Sequence, residues 1–424
     1  SSGTPRAFIY PLFLGFLYYL LADKIFFCLF FIILQGLFYP QAVLISAAVL
    51  GIKSFAEKRV RFIYLAGLLT ALIILLIYAA KTSDFGKIIT LEQAKTLPEF
   101  MSGGRSAFFT DNPLDFWLIG RRSGFFPIEW QYTLMSAYGI SLWWLKRYPQ
   151  RFPLVKKLTD REIILPQIFL AGLLLYGLAH LFLFKLHLPG RYSQHSLRMI
   201  LALLDGITIA IIWDTISSWS KRQFNRYSQL FKSFSLILII SLLLYPTYAV
   251  QAYPYRLGYV EPETTAVYQF LQQQPKDSLI ATLGREGDFI PSLAKRSTLV
   301  AAEYAIPYHY GYYQQIERRI RDLIKAQYSP DLDTVKQFIN KYQINFLLIS
   351  KNAFTINYLK NNPWLMQFQP EVANAMEIIK TNQKPAITQL IDRCQIFTDT
   401  DLAVMDSNCI TSFRQAQIII DNEL

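Results

Sequence analysis

Cationic and hydrogen-bonding side chains are concentrated in one short stretch, residues 185–198, between two long apolar runs. Guanidinium groups bind phosphate through paired, charge-assisted hydrogen bonds, and a helix that begins near Ser193 would add the positive end of its dipole. The pattern predicts an anion site at the edge of a membrane, with snorkelling of the same side chains to lipid headgroups as the alternative. The candidate binding residues are His187, Arg191, Tyr192, His195 and Arg198.

Carboxylates that could act as a general base occur in the long polar stretch 84–129. The weak candidates are Asp111, Asp115 and Glu129, and a solvated loop accounts for them more simply. Asp205 lies within an apolar run, where a charge is costly. We expect its carboxylate to face Arg198, a neighbouring helix or a wet cavity.

Three further features could carry chemistry. The triplet Asp399-Thr400-Asp401 matches a metal-binding pattern of nucleotide-sugar transferases, but it falls in a predicted hairpin turn, where Asp bonds locally. Cys394 and Cys409 bracket this hairpin and form a disulfide if the compartment is oxidising. The aromatic run 304–313 could stack on sugar rings or pack against the membrane. No cofactor is evident, and no metal cluster occurs; a divalent metal is left open, though nothing indicates one.

The composition indicates a protein that crosses the membrane several times. Of the 424 residues, 53% are hydrophobic and 17% charged, and the mean hydropathy is +0.25. The net charge of +12 comes from basic residues between apolar runs, so we expect the lipid bilayer, not nucleic acid, as the partner. Spans are predicted near residues 7–21, 25–51, 62–80, 130–145, 163–184, 196–216 and 234–250. Pro40 either kinks the second span, separates two half-helices or splits a hairpin.

The basic loops 53–61, 146–161 and 221–232 fall on one side in this arrangement, which predicts that they are cytoplasmic. Residues 1–252 then form a transmembrane helical domain in the cell (inner) membrane, and residues 253–424 an extracytoplasmic domain. Helical and strand patterns alternate in this second part, which predicts a small α/β fold. We expect strands at 278–282, 298–302 and 346–350 and a hairpin of 394–397 with 402–406.

Several motifs of the second part resemble one known family. They are PKDSLIAT (275–282), AKRSTLVAAEY (294–304) and VKQFINKYQINFLLIS (335–350), which follow a predicted helix. Together they resemble the C-terminal part of bacterial GT-C-type glycosyltransferases. LPGRYSQHSLRM (188–199) and IPYHYGYYQQIERRIRDLI (306–324) look like cyanobacterial membrane proteins of this type. The resemblance covers residues 261–350 best and the membrane part only in architecture.

The resemblance implies transfer of a sugar from a polyprenyl-phosphate donor to an extracytoplasmic acceptor. In the family the catalytic carboxylate lies in the first extracytoplasmic loop, whereas the corresponding link here, residues 22–24, is too short, and Asp23 is a poor match. We therefore expect the catalytic loop upstream of residue 1. The alternative is a non-catalytic membrane scaffold, or a transporter-like protein, whose outer domain binds a partner.

Overall fold

The computed structural model describes residues 5–57, 61–80, 85–102, 104–127, 137–158, 160–224, 228–249, 262 and 264–413. The chain divides into two compact units, which are described separately. Unit one comprises Ser1–Thr82 and Thr110–Tyr259, and unit two comprises Ser83–Phe109 and Val260–Leu424. The division differs from the expected single boundary at 252/253, because residues 83–109 of the long polar stretch belong with the C-terminal part.

Unit one is built from long apolar helices. In the described part of the chain, three helices are long and apolar enough to cross a membrane: Phe62–Ala80, Arg161–Leu181 and Gly190–Gln223. Shorter apolar helices cover Pro5–Leu21, Ile25–Phe38, Pro40–Ala56 and Gln229–Tyr245. The helices are α1 (Ile9–Leu21), α2 (Ile25–Phe38), α3 (Pro40–Ala56), α4 (Phe62–Ala80), α5 (Ile164–Leu181), α6 (Gly190–Phe224) and α7 (Ser228–Ala249).

Helix α4 shows why unit one suits a membrane. Only its Ile63, Tyr64, Gly67 and Ala71 are buried, while its leucines and isoleucines are largely exposed. An apolar surface of this extent is unusual on a soluble monomer and is what lipid tails would cover. The apolar helices therefore fit a membrane protein, although their lengths leave the predicted number of seven spans untested.

The segment predicted as a span with a proline at its centre is a helical hairpin. The chain breaks at Tyr39, because proline has no N–H to continue a helix and begins α3 instead. The two ends of the hairpin come together, since the guanidinium of Arg61 lies 2.7 Å from the carboxylate of Asp23. Near the other end, the Tyr78 hydroxyl donates to the Gly36 carbonyl. A single kinked span over 25–51 is therefore excluded.

The predicted fourth span, 130–145, is only partly described, since residues 128–136 lie outside the described part of the chain. Its described residues form a 3-10 turn, Ala137–Ser141, and one helical turn, Leu142–Leu145, rather than a continuous long helix. Leu142 and Leu145 pack with Ile211 of α6, and Gly139 approaches the same helix closely. Short 3-10 helices at Pro153–Lys157 and Asp160–Ile163 and a π-turn at Asp115–Ile119 complete unit one.

Unit two contains a five-stranded mixed sheet in the order β2-β1-β3-β5-β4. Its strands are β1 (Leu279–Ala281), β2 (Ser297–Thr298), β3 (Phe346–Ser350), β4 (Gln395–Thr398) and β5 (Leu402–Asp406). The first three strands in this order run parallel, and β3-β5-β4 are antiparallel. The sequence patterns predicted β3 and the hairpin at or within one residue of their bounds, whereas β2 is shorter than expected.

Helices cover both faces of this sheet, which explains why β3 (FLLIS) is apolar at successive positions. Leu347 and Ile349 face one apolar core with Ile320 of α9, and Phe346 and Leu348 face another. The longer helices are α8 (Ala266–Gln273), α9 (Tyr310–Tyr328), α10 (Leu332–Tyr342) and α11 (Glu371–Lys380). Shorter ones occupy Leu91–Thr96, Ile356–Lys360, Ile391–Cys394 and Ser407–Ser412.

Residues 85–109, called here the loop segment, pack onto the aromatic run 304–313. The Ile89 amide donates to the Tyr308 carbonyl at 3.0 Å, and the Tyr310 amide donates to the Lys87 carbonyl at 3.0 Å. Gly86 has a φ of +83°, and a Cβ there would lie 3.1 Å from Gly311, so glycine permits this close approach. The aromatic run thus packs within unit two, where the rings of Tyr308 and Tyr312 contact Phe100 and Phe85 of the loop segment.

Candidate functional site

The predicted anion site gathers cationic side chains at the start of α6. Arg191, His195 and Arg198 are spaced by four and three residues, which places them on one face of the helix. The guanidinium groups of Arg6, Arg191 and Arg198 all lie close enough to the His195 imidazole to interact with it electrostatically. These four residues are called the cation cluster, and Arg6 is a member that the sequence patterns did not predict.

Two tyrosines, Tyr10 of α1 and Tyr39 between α2 and α3, bind two members of the cation cluster. The Arg191 guanidinium donates to the Tyr39 hydroxyl at 2.7 Å, and the Tyr10 hydroxyl lies within hydrogen-bonding distance, 2.9 Å, of His195 Nδ1. Among the described residues, neither Arg191 nor Arg198 forms an ion pair with a carboxylate. The two guanidinium groups of Arg191 and Arg198, which have no carboxylate partner in the described part of the chain, form a site that favours a bound anion.

Two of the predicted binding residues serve the backbone instead. Tyr192 is 1% exposed and donates its hydroxyl to the Leu186 carbonyl at 2.7 Å, so it fixes the link between α5 and α6. His187 has a φ of +64° and pairs its backbone with Phe184. The polar stretch also reaches this link, because the Gly190 amide donates to the Arg122 carbonyl at 3.0 Å. Arg191, His195 and Arg198 therefore remain the predicted residues with a direct role in the cluster.

Asp205 does not pair with Arg198. Its carboxylate accepts a short hydrogen bond from the backbone amide of Gly139, which belongs to the 3-10 turn beside α6. A Cβ on Gly139 would lie 2.3 Å from Leu204 Cβ, so only glycine lets the two backbones approach this closely. The partly buried carboxylate on the apolar helix thus has a structural partner, and its role is to fix residues 137–141 against α6.

Among the described residues, the candidate general bases Asp111 and Asp115 of the polar stretch are not assembled into a site. Asp111 is exposed and Asp115 is partly exposed, and within the described chain neither forms an ion pair or a side-chain hydrogen bond. Glu129 lies outside the described residues. The exposure of Asp111 and Asp115 fits the solvated loop that accounts for them more simply.

A carboxylate that the sequence patterns missed, Glu99, is buried in unit two. It lies in the 3-10 turn Pro98–Phe100 of the loop segment and is 0% exposed. One carboxylate oxygen accepts from Trp364 Nε1 at 3.0 Å and from the Tyr313 hydroxyl at 3.4 Å, and the other accepts from the Arg105 amide at 2.9 Å. The apolar neighbours of Glu99 in the motif LPEFM are the only sequence signal that could have indicated its burial.

Burial raises the pKa of the Glu99 carboxyl above its ordinary value, and the hydrogen bonds from Arg105, Trp364 and Tyr313 oppose part of that rise. A raised pKa is common among catalytic carboxylates. Here, however, the carboxylate is closed off and all its partners are donors of unit two. This geometry indicates that Glu99 attaches the loop segment to the α/β domain through hydrogen bonds and does not act as a base that reaches a substrate.

The remaining predicted residues have local roles. Asp399 accepts from the Thr264 hydroxyl at 2.6 Å and from the Thr400 amide at 2.7 Å, as expected for a turn. Cys394 and Cys409 form a disulfide, with their Cα atoms 5.5 Å apart. Within the described part of the chain, no group of three or more His, Cys, Asp or Glu residues could hold a metal ion.

Comparison with known proteins yields little. No protein-family model matches the chain, and no curated protein matches it. Among solved structures, it is similar to the oligosaccharyltransferase of Archaeoglobus fulgidus tethered through a disulfide bond to an acceptor peptide containing the NVT sequon. The identity is 12% and the TM-score 0.38, and the match covers 86% of this chain and 47% of the other. The chain thus spans about half the length of that protein, and a likeness at this TM-score carries no argument about fold or function.

Proposed function

We propose that this chain is part of a membrane glycosyltransferase of the GT-C type, which transfers a sugar from a polyprenyl-phosphate donor to an extracytoplasmic acceptor. The observation that carries the proposal is the cation cluster of Arg6, Arg191, His195 and Arg198. The motifs of unit two that resemble the family support it from the sequence side. The proposal assigns no general base to the described residues.

The position of the cation cluster suits a lipid-linked phosphate. Arg191 and His195 lie in the first two turns of α6, and the amides that open this helix contribute partial positive charge. Tyr39, which orients Arg191, lies at the break between α2 and α3. The cluster is therefore at the end of several apolar helices, where a phosphate meets water while its polyprenyl chain stays among lipid tails.

The role proposed for the cluster is to bind and orient the donor. Arg191 and Arg198 would donate paired hydrogen bonds to phosphate oxygens, and their charge would also favour the phosphate that remains after the sugar leaves. His195 is held by Tyr10, so its imidazole has a defined orientation beside the guanidinium groups. A snorkelling role would need no such orientation, because lipid headgroups can approach from many directions.

The test measures binding of a polyprenyl phosphate-sugar to the full chain in detergent. Arg191→Ala should weaken binding by about 1.5–3 kcal/mol, the value of a charge-assisted hydrogen bond, and Arg198→Ala should weaken it similarly. Arg222→Ala is the matched control. It removes an exposed cation near the other end of α6, about 47 Å from Arg191 at 1.5 Å per residue, and should leave the affinity unchanged.

Two further ligands separate specific recognition from general attraction. Phosphatidylglycerol in nanodiscs reports on headgroup binding, and inorganic phosphate reports on the anion site alone. The proposal requires that the polyprenyl phosphate-sugar binds more tightly than both and that only its binding depends strongly on Arg191. Equal affinity of the Arg191→Ala variant and the unmodified chain would remove the donor site, and the scaffold interpretation would then account better for unit one.

A further inference from the structure

An open groove in unit two lies along the outer edge of the sheet, at β2. Its volume is about 310 Å³, at the low end of ligand-binding cavities. On one side it is lined by residues 296–301, which include β2, and on the other by Tyr312, Ile316 and Arg319 of α9. These three helix residues are spaced by four and three positions and therefore share one face. We call this feature the edge groove.

The backbone of β2 presents unused hydrogen-bonding groups to the edge groove. Strand β2 pairs with β1 through the amides of Ser297 and Leu299, which donate to Ser278 and Ile280. In a strand, alternate residues direct their N–H and C=O groups to opposite sides, so those of Thr298 point away from β1. No hydrogen bond of the Thr298 amide occurs within the described residues. An edge of this kind is a template for one additional strand.

The charged residues lining the edge groove are both cationic. Arg296 is already occupied, since it donates to the backbone carbonyls of Gln272 and Gln274 at the end of α8. Arg319 is half-buried, and in the described part of the chain its guanidinium has neither a hydrogen bond nor an ion pair. A half-buried guanidinium without a partner is costly, and a carboxylate is the group that satisfies it best.

Aromatic side chains complete the wall of the groove. The Tyr312 hydroxyl donates to the Tyr304 carbonyl at 2.9 Å, and the Tyr304 hydroxyl donates to the Asp288 carbonyl at 3.3 Å. Their hydroxyls are thus held, and the rings, together with Ile316, supply apolar surface between the strand edge and Arg319. Apolar walls with one charged group at a defined place give a site that selects its ligand.

We propose that the edge groove binds an extended peptide with an acidic side chain, which adds to the sheet as a sixth strand beside β2. The peptide backbone pairs with the outward groups of Thr298, an apolar side chain packs on the tyrosine wall, and a carboxylate pairs with Arg319. The strand edge requires a peptide backbone, and the unpartnered guanidinium requires an acidic residue, so the two observations select the same ligand. This inference is independent of the proposed sugar transfer.

The test uses the full chain in detergent and a labelled, end-capped heptapeptide of alternating Thr and Val with one central Glu. Fluorescence anisotropy measures its affinity. Arg319→Gln should weaken binding about tenfold, as expected for loss of one charge-assisted hydrogen bond. Replacing the peptide's Glu with Gln should weaken binding to the unmodified chain by a similar factor and have almost no effect on the Arg319→Gln variant, because the two groups act as a pair. The control is Arg318→Gln, an exposed neighbour on α9 that does not line the groove.

Strand pairing is tested separately. Thr298→Pro removes an outward amide together with the hydroxyl that donates to the Val300 carbonyl at 3.0 Å. Proline is tolerated on an edge strand, so this variant should fold and bind at least tenfold more weakly. If it does not fold, a peptide N-methylated at alternate amides gives the same information on the unmodified chain. Methylation of the amides that face β2 should abolish binding.

Several results would overturn the proposal. These are no saturable binding, equal binding by the Arg319→Gln and Arg318→Gln variants, or competition by free glutamate as effective as by the peptide. Tighter peptide binding after deletion of residues 414–424 would assign the groove to the chain's own end segment. Dimerisation that is lost in Thr298→Pro would assign the groove to a second copy of the chain.

Discussion

Removal of the Glu99 side chain should release the loop segment from the α/β domain. In the Glu99→Ala variant, Trp364 Nε1, the Tyr313 hydroxyl and the Arg105 amide lose their shared acceptor. Each buried donor left without a partner costs about 1–3 kcal/mol. Relief of burying a carboxylate, which is itself unfavourable, offsets part of the sum. We expect the local free energy of opening to fall by about 3 kcal/mol.

Hydrogen exchange measured by mass spectrometry is the suitable assay, because the chain has two units and a single free energy of unfolding is not defined for it. A loss of about 3 kcal/mol corresponds to about a 100-fold fall in protection for amides of the loop segment, such as those of Ile89 and Phe108. Protection of β3 and β5 should change much less. Glu92→Gln is the control, since Glu92 is an exposed carboxylate of the same segment and should have an effect within about 0.5 kcal/mol.

The pH dependence gives an independent check. The pKa of Glu99 is raised above 4.5 mainly by burial, so the folded state holds this proton to higher pH than the open state. The part of its contribution to docking that depends on this proton is therefore fully present below about 4.5 and is lost as the pH rises through the raised pKa, whereas its acceptor oxygens remain. Glu99→Gln cannot titrate, so the protection of the unmodified chain relative to this variant should fall across that window. Unchanged protection in Glu99→Ala, or a relative protection that rises with pH, would refute the conclusion that the buried Glu99 attaches the loop segment to the α/β domain.

Three other predictions concern separate parts of the chain. Gly139→Ala would place a Cβ 2.3 Å from Leu204 Cβ. We therefore expect residues 137–158 to be cleaved faster by protease in this variant than in the unmodified chain, both in detergent, and equal rates would contradict the close approach. Cys394→Ser opens a bridge that spans 15 residues and should lower the stability of unit two by about 3 kcal/mol, seen as a lower melting temperature that reductant no longer changes. Asp331→Ala removes the acceptor for the first amides of α10 and should cost about 1 kcal/mol, measured as faster exchange in that helix.

The sequence patterns predicted unit two well because its elements obey local rules. The apolar run FLLIS and the hairpin turn at Asp399 are recognisable without tertiary information, and the capping role of Asp331 is as well. The packing of residues 85–109 on unit two was not predicted, because no hydrophobic period or turn signal shows that a polar segment will pack on a domain more than 150 residues later in the sequence. Their burial depends on tertiary contacts such as that between Glu99 and Trp364.

The candidate site likewise contains some features that local sequence patterns predict and others that depend on tertiary contacts. The spacing of Arg191, His195 and Arg198 on one helix face follows from their positions in the sequence. The contributions of Arg6 and Tyr39 could not be predicted in this way, because both residues are distant from α6 in the sequence. The turn of the chain at Tyr39, which brings its hydroxyl to Arg191, could not be predicted either. Arg198 was a reasonable partner for Asp205 at two helical turns, but a backbone amide from another segment satisfies that carboxylate.

Two contacts of the chain with α6, one at Gly124 and one at Leu142 and Leu145, lie far apart along that helix. Gly124 accepts a hydrogen bond from Gln194, whereas Leu142 and Leu145 pack with Ile211. At 1.5 Å per residue, the 17 positions from Gln194 to Ile211 correspond to about 25 Å along the helix, close to the roughly 30 Å of a hydrocarbon core.

Any membrane crossings that the chain makes between the loop segment and the rest of unit two must be even in number. An even number returns the chain to the side from which it started, and this is required because residues 85–109 and 264–413 fold together. The contacts of Glu99 with Tyr313 and Trp364 thus constrain the parity of the membrane crossings that separate them in the sequence.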